Sequence, residues 1–229
     1  MGKAKIVTPK EAAALIPEGA SIMVGGFMGV GNPHKVIEEL HKLGTGNLTL
    51  MCNDGSLPIG PGGEVDWGVA KLISSHQVTK MYGTHVGLNP EVGKRMNDGS
   101  LDVTLIPQGS FVEMIRAGGA GLGGVLTPTG FGTIIEEAWH VDRVVEIDGK
   151  RYLLEKPLRA DFALLCGYKV DRMGNVWYKG TQRTFQEMMA TAADTVIVEA
   201  VNLVEPGDIP PEDVITSRIL VDYIASEEA

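Results

Sequence analysis

Residues 21–52 read in succession as strand, glycine turn, helix and strand, and this unit constrains the fold more than any other stretch. "SIMV" (21–24) is a short apolar run of the kind a buried strand makes. Into it runs "VGGFMGVGNP" (24–33), where Gly25, Gly26, Gly29 and Gly31 fall within seven residues. Asn32 is the predicted N-cap of the next helix, Pro33 its first residue and Gly44 its C-terminal stop. Val36, Leu40 and Leu43 recur at i, i+4 and i+7, which gives that helix one apolar face. "NLTLMC" (47–52) supplies the second strand. Two strands joined by a helical crossover are a βαβ unit, and such strands pair in parallel.

The alternation continues along the chain. Thr8, Pro9 and Glu11 form a capping box ahead of a short helix that stops near Pro17. Residues 65–75, 89–99, 110–119 and 183–193 carry helical patterns, and 77–82, 101–107, 195–201 and 219–224 read as strands. Residues 118–133 form a glycine-rich loop. Two strand-like runs flank Asp148-Gly149, the type I′ hairpin signal, and 161–169 and 175–180 flank a turn at 171–175. The fold class is therefore α/β: a mostly parallel open sheet with helices on both faces plus an antiparallel hairpin section, in one domain spanning 1–229.

Composition narrows the function classes. A formal net charge of −9 is the wrong sign for a nucleic-acid binder, whose footprint is a clustered basic face. A small anionic ligand is compatible, because backbone amides at a helix start can bind one. Cys52 and Cys166 each end an apolar run, as buried thiols of a reducing compartment do. The N-terminus lacks the apolar region of a signal peptide, no run approaches ~18 apolar residues, and Ile6 stands where a myristoylation signal wants Ser or Thr. A cytoplasmic protein outside the membrane is expected.

The candidate chemistry is sparse. The glycine turn lies after a strand and before a helix, where α/β proteins bind ligands. Its spacing matches neither the dinucleotide fingerprint nor the Walker loop, so ligand contact and a merely tight turn both stay open. Gly119, Gly121 and Gly124 match G-x-G-x-x-G formally, with a helix before them instead of a strand, which is the wrong context for a nicotinamide site. His34, His41, His76, His85 and His140 show no metal-ligand spacing, and no metal is expected. No G-x-S-x-G elbow occurs. Glu136-Glu137 read as a solvated helix start. Glu199, after "TVIV", is either a catalytic carboxylate at a strand end or a hydrogen-bonded structural one. Gln108 falls between a strand and a helix, where its amide can donate to a carboxylate or thioester oxygen.

Taken together, "EGASIMVGGFMGVGNP", "LIPQGSFVEMIRAGGAGLGGVLTPTGFGT", "ADFALLCGYKVDRMGNVWY", "MATAADTVIVEAVNLVEPGDIPPEDVIT" and "ILVDYI" resemble, in the same order, the segments of the family I CoA transferases. Within that family the α subunits of the acetate/butyrate–acetoacetate type are the nearest in pattern, and the succinyl-CoA:3-oxoacid type is next. The resemblance implies that the turn Gly25, Gly26, Phe27, Met28, Gly29, Val30 and Gly31 contacts CoA. It places the glutamine of the family's P-Q-G motif, near the acyl or carboxylate group, on Gln108.

The family's chemistry is ping-pong. A glutamate attacks the acyl-CoA thioester, passes through an anhydride, and becomes a glutamyl-CoA thioester that the second acid relieves of CoA. That glutamate lies in a Ser-Glu-Asn-Gly type motif on a β subunit, and this chain contains no Glu-Asn pair. The resemblance therefore implies a β-subunit partner that brings the nucleophile, CoA as substrate and no permanently bound cofactor. The sequence departs from the pattern at "TQRTFQEM" (181–188), where related chains usually read "ARNFNP", and in the insert "GSLPIGPGGEVDWGVA" (55–70). Two rivals remain: a regulatory small-ligand module on the same fold, and a nicotinamide-dependent dehydrogenase using the 119–124 glycines.

Overall fold

The computed structural model describes residues 4–229. β2 (Ser21–Val24) alternates its burial: Ile22 and Val24 enter one hydrophobic core and Met23 the other. A strand covered on both faces reads as a continuous apolar run, which is why "SIMV" shows no polar alternation. β2 leads through the glycine turn into α2 (His34–Leu43), which stops at Gly44 in the left-handed conformation, and then into β3 (Leu48–Cys52). α3 (Ala70–Ser74), β4 (Val78–Gly83), α4 (Pro90–Asn97, capped by Asn89), β5 (Asp102–Leu105) and α5 (Gln108–Ala120) continue the alternation.

β6 (Val125–Thr127), β7 (Val141–Ile147) and β8 (Lys150–Glu155) form a separate antiparallel sheet in the order β6-β8-β7. Its hairpin turns at Asp148-Gly149, both with positive φ, as the type I′ signal predicts. The chain returns as β9 (Ala160–Asp171), against which β10 (Val176–Trp177) folds antiparallel. α6 (Gln186–Thr191), β11 (Ala193–Val204) and β12 (Tyr223–Ala225) complete the run.

At the N-terminal side, β1 (Lys5–Val7) precedes α1 (Pro9–Ala14), whose Thr8–Glu11 capping box forms as expected. The main sheet runs β1-β12-β11-β9-β2-β3-β4-β5, with β10 attached to β9, and every pairing along that path is parallel. α2 and α3 pack in one core with Ile22 and Leu50, while α5 and α6 pack in the other around Met23 and Leu165. The expected fold class, helices on both faces included, is what the chain adopts. Among the described residues no helix is long and apolar enough to cross a membrane.

Several local expectations need correction. Asn32 does not cap α2. Pro33 occupies the cap position without a side-chain bond, because the Asn32 side chain is committed elsewhere. Leu43 is 46% exposed, and Ile37 takes its place on the buried face. The helix expected over 65–75 shrinks to α3, since Trp67 and Gly68 belong to a loop. α5 runs through Gly118 and Gly119, where side chains would strike Leu158 and Thr191, so the glycine-rich loop starts later than its composition suggests. That packing leaves Gly119 inside a helix and removes the context a dinucleotide fingerprint needs. Glu136 and Glu137 fall in a 3-10 turn (Ile134–Glu137). The last strand covers only Tyr223–Ala225, and Ile219 sits in a 3-10 turn. β1, three residues long, was not expected.

Candidate functional site

From β2 the chain steps through β3 and β4 to β5 on one side; from β9 it steps through β11 to β12 on the other. β2 and β9 are neighbours, so the strand order reverses between them. Ligands of open α/β sheets bind outside the carboxyl ends of the strands at such a reversal. The glycine turn leaves β2 at this point.

Phe27 and Val30 pair across a two-residue turn, each amide donating to the other's carbonyl at 3.0 and 2.9 Å. Met28 and Gly29, both with positive φ, form the tip. Around it the amides are spoken for: Gly25 donates to the Leu164 carbonyl, Gly26 to Thr184, Met28 to Asp54 and Asn32 to Gly29. The glycines serve close approach. A Cβ on Gly25 would overlap the Gln186 side chain, and one on Gly29 the Trp67 ring. The turn therefore presents Phe27 and Val30, 39% and 40% exposed, more than a row of free N–H groups. At Gly25–Gly31, where CoA contact is expected, those two side chains are therefore the main exposed apolar surface.

The Asn32 amide donates to the Gly25 carbonyl at 2.7 Å, and its oxygen accepts from Ser56 Oγ and the Val69 amide. One buried side chain thus closes the base of the turn and fastens it to the loop after β3. The segment 181–188 cradles the other side: Thr184 accepts from Gly26, and Gln186 Nε2 donates to the Gly31 carbonyl at 2.8 Å. The departure from the family pattern therefore abuts the turn itself.

Gln108 begins α5 at the carboxyl end of β5 and is exposed. Its Nε2 donates to Asn53 Oδ1, just past β3. A primary amide has two N–H bonds, so one stays free for a ligand oxygen. Asn53 Nδ2 donates to Asp54 Oδ2 at 2.8 Å, and the same oxygen accepts the Met28 amide at 2.9 Å. Gln108 and the glycine turn, 80 positions apart in sequence, are joined by three hydrogen bonds. Asn53 and Asp54, 1% and 4% exposed, are the central links. Sequence reasoning passed over them, although a polar pair directly after a buried strand and beside the turn is the signal that marks them. All of Asp54's partners are neutral donors, the Ser56 amide included.

Glu199 resolves toward the structural alternative. Its Oε2 accepts the amides of Lys35 and Val36, each at 2.9 Å, and so caps α2 from β11. Burial pushes its carboxyl up to about 7, against the pull of the two amides. His34 lies over the Trp67 ring at 4.7 Å and bonds the Gly29 carbonyl through Nε2; burial pulls its imidazole below the ordinary value. Cys52 and Cys166 are buried free thiols, and burial holds Cys166 up to about 12, far from a reactive thiolate.

This is an α/β protein with a glycine turn and an amide relay at the reversal of its sheet. The chain belongs to the coenzyme A transferase family, whose model matches residues 6–227. It is 44% identical to the acetate CoA-transferase subunit alpha of Escherichia coli (strain K12), over 97% of this chain and 96% of that one. It is 45% identical to the acetoacetyl-CoA:acetate/butyrate CoA transferase alpha subunit of Clostridium acetobutylicum, over 98% and 99%. Among solved structures, an acyl-CoA transferase from Escherichia coli O157:H7, in a thioester complex with CoA, shares the fold. The TM-score is 0.85 at 20% identity, and the match covers 99% of this chain and 48% of that one.

Proposed function

We propose that this chain is the α subunit of a cytoplasmic CoA transferase. It moves CoA from a short-chain acyl-CoA, butyryl-CoA or acetyl-CoA, to acetate or acetoacetate, and the glutamate nucleophile comes from a β subunit. The observation that carries this reading is the relay Gln108–Asn53–Asp54–Met28, which ties an amide suited to a carboxylate to the turn suited to CoA. The relay's own carboxylate, Asp54, and the buried Glu199 at the start of α2 already accept backbone amides. A nucleophile needs a free, positioned oxygen, which Asp54, with both oxygens engaged, does not offer.

In this reading the partner's glutamate attacks the thioester carbonyl and the CoA thiolate leaves, giving an acyl anhydride. The thiolate then attacks the glutamyl carbonyl and releases the first acid. The second acid repeats the sequence in reverse. Gln108 holds a carboxylate or carbonyl oxygen through its free N–H while charge builds on it. Phe27 and Val30 offer apolar surface to the pantetheine arm. CoA is a substrate here, with no resident cofactor.

The test is co-expression with a β subunit and an assay of acyl exchange across acetate, butyrate, acetoacetate and succinate. Exchange only in the presence of β is expected. No exchange with any of the four acids sinks the reading, and ligand-dependent activity of the isolated chain favours a regulatory module.

A further inference from the structure

β3, β4 and β5 end side by side, and β4 is the middle strand of the three. Their last backbone bonds step across the sheet. The Thr84 amide, just past β4, donates to the Asn53 carbonyl at 2.9 Å, and the Ile106 amide, just past β5, donates to the Gly83 carbonyl at 2.9 Å. The end of β4 thus lies between that of β3, which carries Asn53, and that of β5, which leads to Gln108. The Gln108 side chain reaches across this middle strand to Asn53 Oδ1. The Thr84 hydroxyl reaches the same residue: Oγ1 is 3.1 Å from Asn53 Oδ1 and 2.9 Å from the Asn53 carbonyl oxygen. That carbonyl is already served by the Thr84 amide, whereas Oδ1 has two lone pairs. Gln108 Nε2 takes one, and the Thr84 hydroxyl the other. Thr84 is only half-buried, so water is available to its hydroxyl and burial alone does not dictate this bond.

An asparagine amide can be turned end for end, which exchanges a donor for an acceptor in nearly the same place. Two neighbours decide which way Asn53 lies. Asp54 Oδ2 accepts, and takes the Nδ2 end at 2.8 Å. The Thr84 hydroxyl donates, and takes the Oδ1 end. Asn53 therefore presents an acceptor to Gln108, which must answer with its N–H end, because its own oxygen would set two acceptors face to face. Polarity passes from Thr84 through Asn53 to Gln108. We propose that Thr84 is a positioning residue for acyl transfer: its hydroxyl holds Asn53 Oδ1 toward Gln108 and so fixes the Gln108 amide with its second N–H free for the carboxylate or thioester oxygen. The inference rests on the role given to Gln108 in the α-subunit reading above. The glycine turn is tied to the relay through Asp54, not through Thr84, so the site for CoA itself is outside this effect.

The experiment is a double-mutant cycle on the enzyme assembled with β. Thr84→Val keeps the branched shape and the backbone bond to Asn53 and removes only the hydroxyl. Its kcat should fall about three- to fivefold, with KM for the acyl-CoA within about twofold of wild type. Thr84→Ser, which restores the hydroxyl, should recover the lost turnover. In a Gln108→Ala background Thr84→Val should cost nothing further, because the group it orients is gone. A second measurement needs neither β nor substrate. In the full α chain, the side-chain amide signals of Gln108, assigned by their disappearance in Gln108→Ala, should shift and show greater mobility by nitrogen-15 relaxation in Thr84→Val but not in Thr84→Ser. Unchanged turnover in Thr84→Val overturns the proposal, as does an equal loss in both backgrounds, a rise in KM with kcat intact, or an unaltered Gln108 amide. If wild-type α with β exchanges no acid, the α-subunit reading fails, and the amide signals still decide whether Thr84 orients Gln108.

Discussion

A single oxygen of Asp54 accepts both the Met28 amide, at 2.9 Å, and the Asn53 side-chain amide, at 2.8 Å. One carboxylate therefore sets the tip of the glycine turn and the orientation of the residue that holds Gln108. Asp54→Ala should strip the Met28 and Ser56 amides of their acceptor. Each orphaned buried donor costs ~1–3 kcal/mol, so urea unfolding of the variant should show a loss of about 2–4 kcal/mol. Exchange activity of the assembled enzyme should fall with it. A variant with wild-type stability would show that the turn does not depend on this carboxylate.

Gln108 separates function from stability. The side chain is exposed and begins a helix that does not need it as a cap. Gln108→Ala should change stability by less than ~0.5 kcal/mol and leave assembly with β intact. Turnover should drop at least tenfold, the equivalent of ~1.4 kcal/mol of transition-state stabilisation. Unchanged turnover in a steady-state assay would remove Gln108 from the site.

Two glycines of the same backbone hand should respond differently. Gly44 (φ 69°) has open space where a Cβ would go, and Gly29 (φ 84°) has the Trp67 ring there. Gly44→Ala should cost ~1 kcal/mol, the backbone penalty alone. Gly29→Ala adds displacement of the indole, and a cost of about 2–4 kcal/mol is expected. Equal midpoint shifts in denaturant would show that Trp67 is free to move.

Glu199 imposes a pH dependence of known sign. Its folded pKa, about 7, stands above the reference value of 4.5. Below pH 4.5 both folded and unfolded chains carry the protonated acid, and the stabilising effect of the raised pKa is fully present. As pH rises toward 7 the unfolded chain ionises first and that stability is lost, by up to ~3 kcal/mol at ~1.4 kcal/mol per pKa unit. The wild-type-minus-Glu199→Gln difference in unfolding free energy should therefore decline across this window and level off above it. A flat difference profile would mean that Glu199 titrates normally.

Much of the fold was legible because the chain signals its periodicity locally. "SIMV", the Thr8 capping box, Asn89-Pro90 and Asp148-Gly149 each satisfy a rule that needs only neighbours in sequence. The candidate site was legible in its parts, since Gly25–Gly31 and Gln108 could each be placed at a strand end, but the link between them was not. Asn32 looked like an N-cap because local rules cannot see that Ser56 and Val69 claim its oxygen, or that Glu199, more than 160 positions away, caps the helix instead. Gly25 and Gly29 looked like ligand glycines, and only tertiary packing shows that Gln186 and Trp67 require them. β1 gave no signal, because three residues form a strand only when β12 is already there to pair with.

The pairing of β2 with β9 has a consequence for how the molecule comes into being. Ser21 and Asp161, which bond at the start of that pairing, are 140 positions apart. The glycine turn needs still later residues, Thr184 and Gln186, to hold its shape. Contacts this distant in sequence form slowly, because the intervening chain must first surrender its freedom. On the ribosome, an emerging chain can pair β2 with β3 long before it has anything to lay against β2's other side. The edge at the glycine turn thus matures only after Gln186 has emerged, though β1 waits longer still for β12, and any partner that reads its finished shape meets only chains well advanced in synthesis.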